Sequence, residues 1–426
     1  MSDSEGVCYR ALSELVSQVD AKITVRKDPT RPYVGLENIP SRGAHLTGWS
    51  LASSSISTNS IFQAGDVLFG KLRPNLRKCV VAPFDGYCST DILVLRANTG
   101  VDPSFAGKVL GTEQVGAAAE MTSVGTKMPR TSWKHLSELE VFCPGFPEQS
   151  KIAKVLDILD TAIHGTEAII AKLKAVKQGL LHDLLTRGID ASGELRPSQV
   201  DAPQLYKESP LGWIPKEWTY KQFGGLCESS AFGPRFPSDA YDENGPLATL
   251  RTTDMDDEGN ISLSTMPRAA IAPSVFADHL LRPGDLVISR SGTCGVTGVF
   301  AGHDIPVVPG AFLIRFRMRD LRLNRFYRRY FNSSQGRPYL DRLAVGGVQK
   351  NIKGSDVLCL LVPVPSPEEA IGIAERIESV EHDIESNQQL LTKLTLQKSG
   401  LMDDLLTGRV RVTPLLADAE RAKECV

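Results

Sequence analysis

The feature that most constrains this 426-residue chain is that it repeats itself. Displaced by 221 residues, IAKVLDILDTAIHGTEAIIAKLKAVKQGLLHDLLTR (152–187) falls on IAERIESVEHDIESNQQLLTKLTLQKSGLMDDLLTG (373–408). Ile152/Ile373, Ala153/Ala374, Lys172/Lys393, Leu173/Leu394, Gly179/Gly400 and a shared Asp-Leu-Leu-Thr are identical. A displacement of 219 places GDVLFGKLRP (65–74) over GDLVISRSGT (284–293), so the Gly-Asp pair is a repeated turn leading into an apolar strand. The chain is therefore a strand-rich segment of roughly 150 residues followed by a long helix, twice over.

In the helical segments the apolar residues step by four and three: Ile152, Leu156, Leu159, Ile163, then Ile170, Leu173, Leu180, Leu184. The copy has Ile373, Ile377, Val380, Ile384, then Leu391, Leu394, Leu401, Leu405. A 3.5-residue period is the seam of a coiled coil. Phe-Pro-Glu-Gln at 146–149 and Ser-Pro-Glu-Glu at 366–369 suit helix first turns. Thr166/Asn387 and Lys177/Lys398 interrupt the seam in both copies, either as polar devices that fix register or as positions facing solvent at a local twist. Helices of about 38 residues span about 57 Å, and two in one chain can pair with each other.

Residues 190–210, rich in Pro, Ser and Asp, read as a linker. The expected fold is α+β: two similar strand-rich domains (1–147 and 211–366) separated by two long antiparallel helices (148–189 and 367–410) that form an intramolecular coiled coil. The halves would be related by a pseudo-two-fold axis, with 411–426 as a tail.

GDVLFGKLRP also approaches the phosphate loop G-x-x-x-x-G-K-[ST], but Leu72 stands where the magnesium-binding hydroxyl should be. Pro74 pushes Arg73 out of the helical region, where a phosphate loop must open a helix. An ATP site is excluded. The eight cysteines are scattered, without Cys-x-x-Cys or nearby His pairs, which argues against zinc. No methyltransferase, dinucleotide, G-x-S-x-G or H-E-x-x-H motif is present, so the chain is expected to recognise rather than catalyse. The start MSDSEGVCYR does not resemble a secretory signal, and no apolar run approaches the ~18 residues that cross a bilayer, giving the expectation of a cytoplasmic protein with reduced thiols.

The formal net charge of −2 means that any nucleic-acid face must come from local clustering. RFRMRDLRLNRFYRRY (315–330) carries seven arginines against one Asp. On a strand Arg315 and Arg317 share one face, and arginine suits phosphates and guanine edges. KLRPNLRK supplies Lys71, Arg73, Asn75 and Arg77, and the loops SVGTKMPR (123–130) and AVGGVQKN (344–351) supply Lys127, Arg130, Gln349, Lys350 and Asn351. Arg251 and Arg290 complete the candidate DNA-contacting set.

Gly-Trp-Ile-Pro-Lys-Glu-Trp (212–218), Leu-Arg-Thr-Thr-Asp-Met-Asp-Asp-Glu-Gly-Asn-Ile (250–261), Pro-Glu-Gln-Ser-Lys-Ile-Ala (147–153), the Gly-Asp turns and the paired Leu-Leu-Thr helix ends occur in one duplicated order. In that order the chain resembles the specificity subunit of type I restriction-modification enzymes, over nearly its whole length. The resemblance implies a non-catalytic subunit whose two target-recognition domains each read one half of a split double-stranded DNA sequence, the helices setting the spacing and docking two methyltransferase subunits. A restriction and translocation subunit completes the complex, and S-adenosylmethionine, ATP and magnesium are expected on these partners, with no cofactor in this chain. The first domain lacks the Gly-Trp-Ile-Pro opening, and Pro-Glu-Glu-Ala (367–370) replaces Pro-Glu-Gln. On the residues alone, a coiled-coil scaffold binding an acidic protein and an enzyme with an unfamiliar site stay open as other classes.

Overall fold

The structure is a computed structural model that describes residues 8–24, 30–52, 58–346 and 350–416. The chain divides into two compact units, residues 1–169 with 387–426, and residues 170–386. Each unit holds one strand-rich segment and half of each long helix.

In the first unit the stretch after the Gly-Asp turn forms the strand Val67–Gly70, inside an antiparallel sheet ordered Val16–Gln18, Ile92–Ala97, Val67–Gly70, Cys79–Val81. In the second unit Leu286–Ser289 occupies the same place in the order Cys227–Phe232, Leu313–Met318, Leu286–Ser289, Thr297–Val299. Val67–Phe69 and Leu286–Ile288 are apolar because both faces of these strands are covered. Val67 and Phe69 join the helices' core while Leu68 joins Val34 and Phe62 of a second sheet. Likewise Leu286 and Ile288 face one core and Val287 another, as period-two side chains must. Each second sheet contains one parallel pair, Pro32–Val34 with Gly86–Cys88 and Leu247–Leu250 with Val307–Pro309.

The long helices run Phe146–Thr186 and Pro367–Leu405. Within the first unit, Ile152 and Leu156 share a core with Leu405 and Leu406; within the second, Leu184 and Leu185 share one with Ile373 and Ile377. The helix halves in each unit are thus antiparallel.

The polar seam positions carry charge. In the first unit Asp160, 3% exposed, accepts from Lys398 at 2.5 Å and from Lys108, which also meets Asp157 at 2.7 Å. In the second, Glu381 meets Lys177 at 3.2 Å and Arg329 at 2.9 Å, and Arg329 also meets Glu378 at 3.1 Å. Displaced by 221, these are the same four positions: two acids one turn apart on one helix, a lysine on the other, and a cation from the strand-rich segment. Lys177 is 7% exposed, so the solvent-facing alternative is excluded there and a register function follows. Thr166 is buried and donates to its own helix at Ala162 O.

A second device closes each unit. Arg411, beyond the end of the second helix, donates two hydrogen bonds to the first-turn Glu148 of the first helix, and Val412 N adds a third. In the other unit Arg196 donates to the first-turn Glu369, whose Oε1 also accepts from Ile189 N at 2.9 Å. Carboxylates suit helix N-termini, and these are bonded by chain arriving from the opposite helix's end. The segment read as a linker therefore contributes a buried ion pair, and then the hairpin Tyr206–Ser209 with Gly212–Pro215.

Two predictions follow from these contacts. Asp160→Asn removes the carboxylate between two largely buried lysines and is expected to cost about 3 kcal/mol, read as a lower urea midpoint of the full chain. The Arg411 bonds hold Glu148 below its ordinary value of 4.5. Its contribution is present at neutral pH and lost as pH falls through that depressed value, so wild type and Glu148→Gln should differ in urea midpoint at pH 7 and converge as the pH is lowered through it.

Candidate nucleic-acid interface

The Gly-Asp turns are answered by arginines. Gly65 and Gly284 have φ of 88° and 92°, a left-handed turn that glycine adopts without penalty. Asp66 accepts from Gln63 N at 2.8 Å and takes a bidentate bond from Arg96 at 2.7 and 2.8 Å. Asp285 accepts from Arg282 N and takes the same bond from Arg317 at 2.9 and 2.7 Å.

This corrects the expectation for the basic strip. Arg315 and Arg317 do share one face of the strand Leu313–Met318, but that face is internal. Arg315 is 2% exposed and donates to Ser229 Oγ and Asp278 O; burial, then neighbouring Arg317, lowers its pKa. Beyond the strand, Arg322 pairs with Asp320, and Arg325 and Arg329 pair with Glu378. Arg328 donates to Glu258 O and Asn260. The interleaved Phe316, Phe326, Tyr327 and Tyr330 are core. Apart from exposed Arg319, the arginines of the strip are bonded within the second unit.

The other candidates converge. In the first unit Lys71 N donates to Asp91 O, Thr131 N to Lys71 O and Arg73 N to Pro129 O, laying the loop after the central strand against 123–130. Leu72 and Val124 each bridge Arg130. In the second unit Arg290 N donates to Phe312 O and Ile352 N to Arg290 O, while Ser291 and Val345 each bridge Asn351. The same loop cluster is built twice.

Side chains in the clusters differ. Arg73 and Arg77 both sit in the left-handed region, at φ of 51° and 50°, flanking the turn Pro74–Leu76. That conformation costs a non-glycine residue roughly 1–2 kcal/mol. Arg77 points inward to Glu113 and Glu120, so it is structural. Arg73, Asn75 and Lys127 are exposed, and Arg73, Lys127 and half-buried Lys71 have no ion pair among the described residues. Arg130 is bidentate on Asp91 at 2.9 and 3.1 Å, which holds that carboxyl below its ordinary range. In the second unit Arg290 and exposed Lys350 carry the charge, with Asn351 beside them. Gln349 lies outside the described residues. Arg251 is locked onto Asp254 and Thr265 O, away from the cluster's bonds. Sequence analysis missed Phe232 and Phe312, both half-exposed aromatics at this cluster, the former 56% exposed and under the Arg290 guanidinium.

Burial pushes the thiols of Cys79, Cys88 and Cys227 up to about 12, so they act as packing groups. Among the described residues no group of three His, Cys, Asp or Glu could hold a metal ion, and no helix is long and apolar enough to cross a membrane.

Residues 215–396 match the family model described as the type I restriction modification DNA specificity domain. The chain is 24% identical over 299 residues to the type I restriction enzyme MjaVIII specificity subunit of Methanocaldococcus jannaschii, covering 68% of this chain and 67% of that one. It is 23% identical over 361 residues to the putative MjaX specificity subunit of the same organism, covering 82% and 79%. The crystal structure of the type I restriction-modification S subunit from M. genitalium superposes with a TM-score of 0.60 at 14% identity, covering 95% of this chain and 98% of that one. A structure from work on assembly and conformational transition of the type I R-M system gives 0.54 at 19% identity, with the same coverage. The duplicated α+β fold is thus shared with a type I restriction-modification S subunit. The chain is similar over most of its length to specificity subunits of type I restriction-modification systems, and its residues 215–396 match their DNA specificity domain.

Arg317→Ala, which strips the bidentate partner from the 1%-exposed Asp285, is expected to lower the urea midpoint by the equivalent of about 3 kcal/mol while leaving the salt dependence of DNA binding unchanged.

Proposed function

We propose that this chain is the sequence reader of a type I complex and that each unit reads one half of a bipartite double-stranded target through the major groove. The observation that carries the proposal is the duplicated loop cluster, in which Arg73, Lys127 and Lys350 are exposed with no ion pair among the described residues, while Arg315, Arg317 and Arg329 of the basic strip are bonded internally. Lysine and arginine contacts to phosphates set register, and a few preorganised side chains read base edges. Half-sites of this kind lie roughly one helical turn, about 34 Å, apart, with an unread spacer between them. The long helices set that spacing and dock two methyltransferase subunits. Those partners and the restriction and translocation subunits supply catalysis in the cytoplasm with S-adenosylmethionine, ATP and magnesium, and this chain binds none of them.

The test is co-expression with the cognate methyltransferase in a methylation-free host, followed by single-molecule sequencing of the DNA. Methylation at one bipartite motif, altered in one half only when residues 1–147 are exchanged, is the expected result; methylation without a motif, or none, overturns the proposal. On a fixed target, Arg73→Ala and Lys350→Ala should each reduce the salt slope of binding by about 1, measured by titration from low to moderate salt.

A further inference from the structure

The two loop clusters share backbone geometry but not chemistry. Where the first unit has Lys71 and Asp91, the second has Arg290 and Phe312, with the same backbone bond between each pair. The Arg290 guanidinium lies over the Phe232 ring, 5.6 Å from its centroid, and its Nε donates to Asn351 Oδ1 at 3.0 Å. Both supports are neutral. Arg130, Arg251 and Arg317 are instead held bidentate by Asp91, Asp254 and Asp285, which consume both charge and donors. Among the described residues the two terminal nitrogens of Arg290 make no hydrogen bond, so the planar fork is oriented and its donors are unspent.

A fork steadied on one edge and one face is what bidentate recognition of guanine O6 and N7 requires, since the donors then need no ordering on contact. A phosphate contact makes no such demand, and Lys350 beside it supplies that kind of charge. We infer that Arg290 reads a guanine in the half-site bound by the second unit, with Phe232 and Asn351 as its positioning residues. Lys71 at the matching place has a single ammonium without the fork, so the first unit does not read guanine in this way. This inference rests on the function proposed above.

The test uses the methyltransferase complex carrying Arg290→Lys, Arg290→Ala or Phe232→Leu, with motif sequencing and binding to targets substituted base by base. Arg290→Lys keeps the charge and should relax one G·C position in the second half-site, discrimination there falling about tenfold to a hundredfold while the first half-site is read as before. Phe232→Leu should relax the same position by less. Retained methylation of the first half-motif shows that the variants are folded. An unchanged motif overturns the inference, as does a uniform loss on all sequences with a salt slope lower by about one, which marks a phosphate contact. A wild-type complex that yields no bipartite motif defeats the proposed function itself, a failure separate from either.

Discussion

Everything in each unit hangs on one ionic node. A cation from the strand-rich segment, Lys108 or Arg329, enters between two acids spaced i and i+3 on a long helix, and a lysine of the opposite helix closes the group. Three parts of the unit meet at four side chains. Apolar seams tolerate sliding by a turn, because one leucine fills another's place at modest cost, but a buried carboxylate without its cations is expensive. The node therefore selects one register for the helix halves and one placement of the strand-rich segment upon them. The end clamps at Glu148 and Glu369 act in the same sense at the other limit of each helix pair.

That use of charge explains why the richest arginine run is mostly bonded within the second unit. A chain with a net charge of −2 matches most cations with acids. Acids on the second long helix and in the Gly-Asp turn hold Arg317, Arg325 and Arg329. The cations left for a polyanion are those on loops that the fold presses together without giving them an acidic neighbour.

Much of the fold was legible because duplication doubles each weak signal. A lone Gly-Asp before an apolar tetrad is a common turn, whereas two of them, each followed by the same long helix, mark one element used twice. The seam was legible for the same reason, since Lys177 and Lys398 fall at equivalent steps. Partner choice was not legible. Local pattern placed Arg315 and Arg317 on one strand face correctly, but which face was inward depended on Asp285, some thirty residues away along the chain. The available signal was Arg96, the matching residue opposite Asp66, visible only by aligning the strands as well as the turns. Phe232 was missed because a single exposed aromatic carries no periodic signature.

The same contrast shows how such a fold can change what it reads without changing how it stands. The bonds that build each loop cluster are backbone to backbone: residue 71 or 290 to residue 91 or 312, and the returning strand of the polar loop to both. They make no demand on side-chain identity. The node and the clamps, in contrast, are made of side chains and lie on the helices, away from those loops. Exchanging Lys for Arg or Asp for Phe at the clusters leaves these backbone bonds in place, so the side-chain chemistry of the clusters is free to differ between the halves. The two units therefore differ in the side chains of their loop clusters and agree in the ionic groups that tie the helix halves to the strand-rich segments.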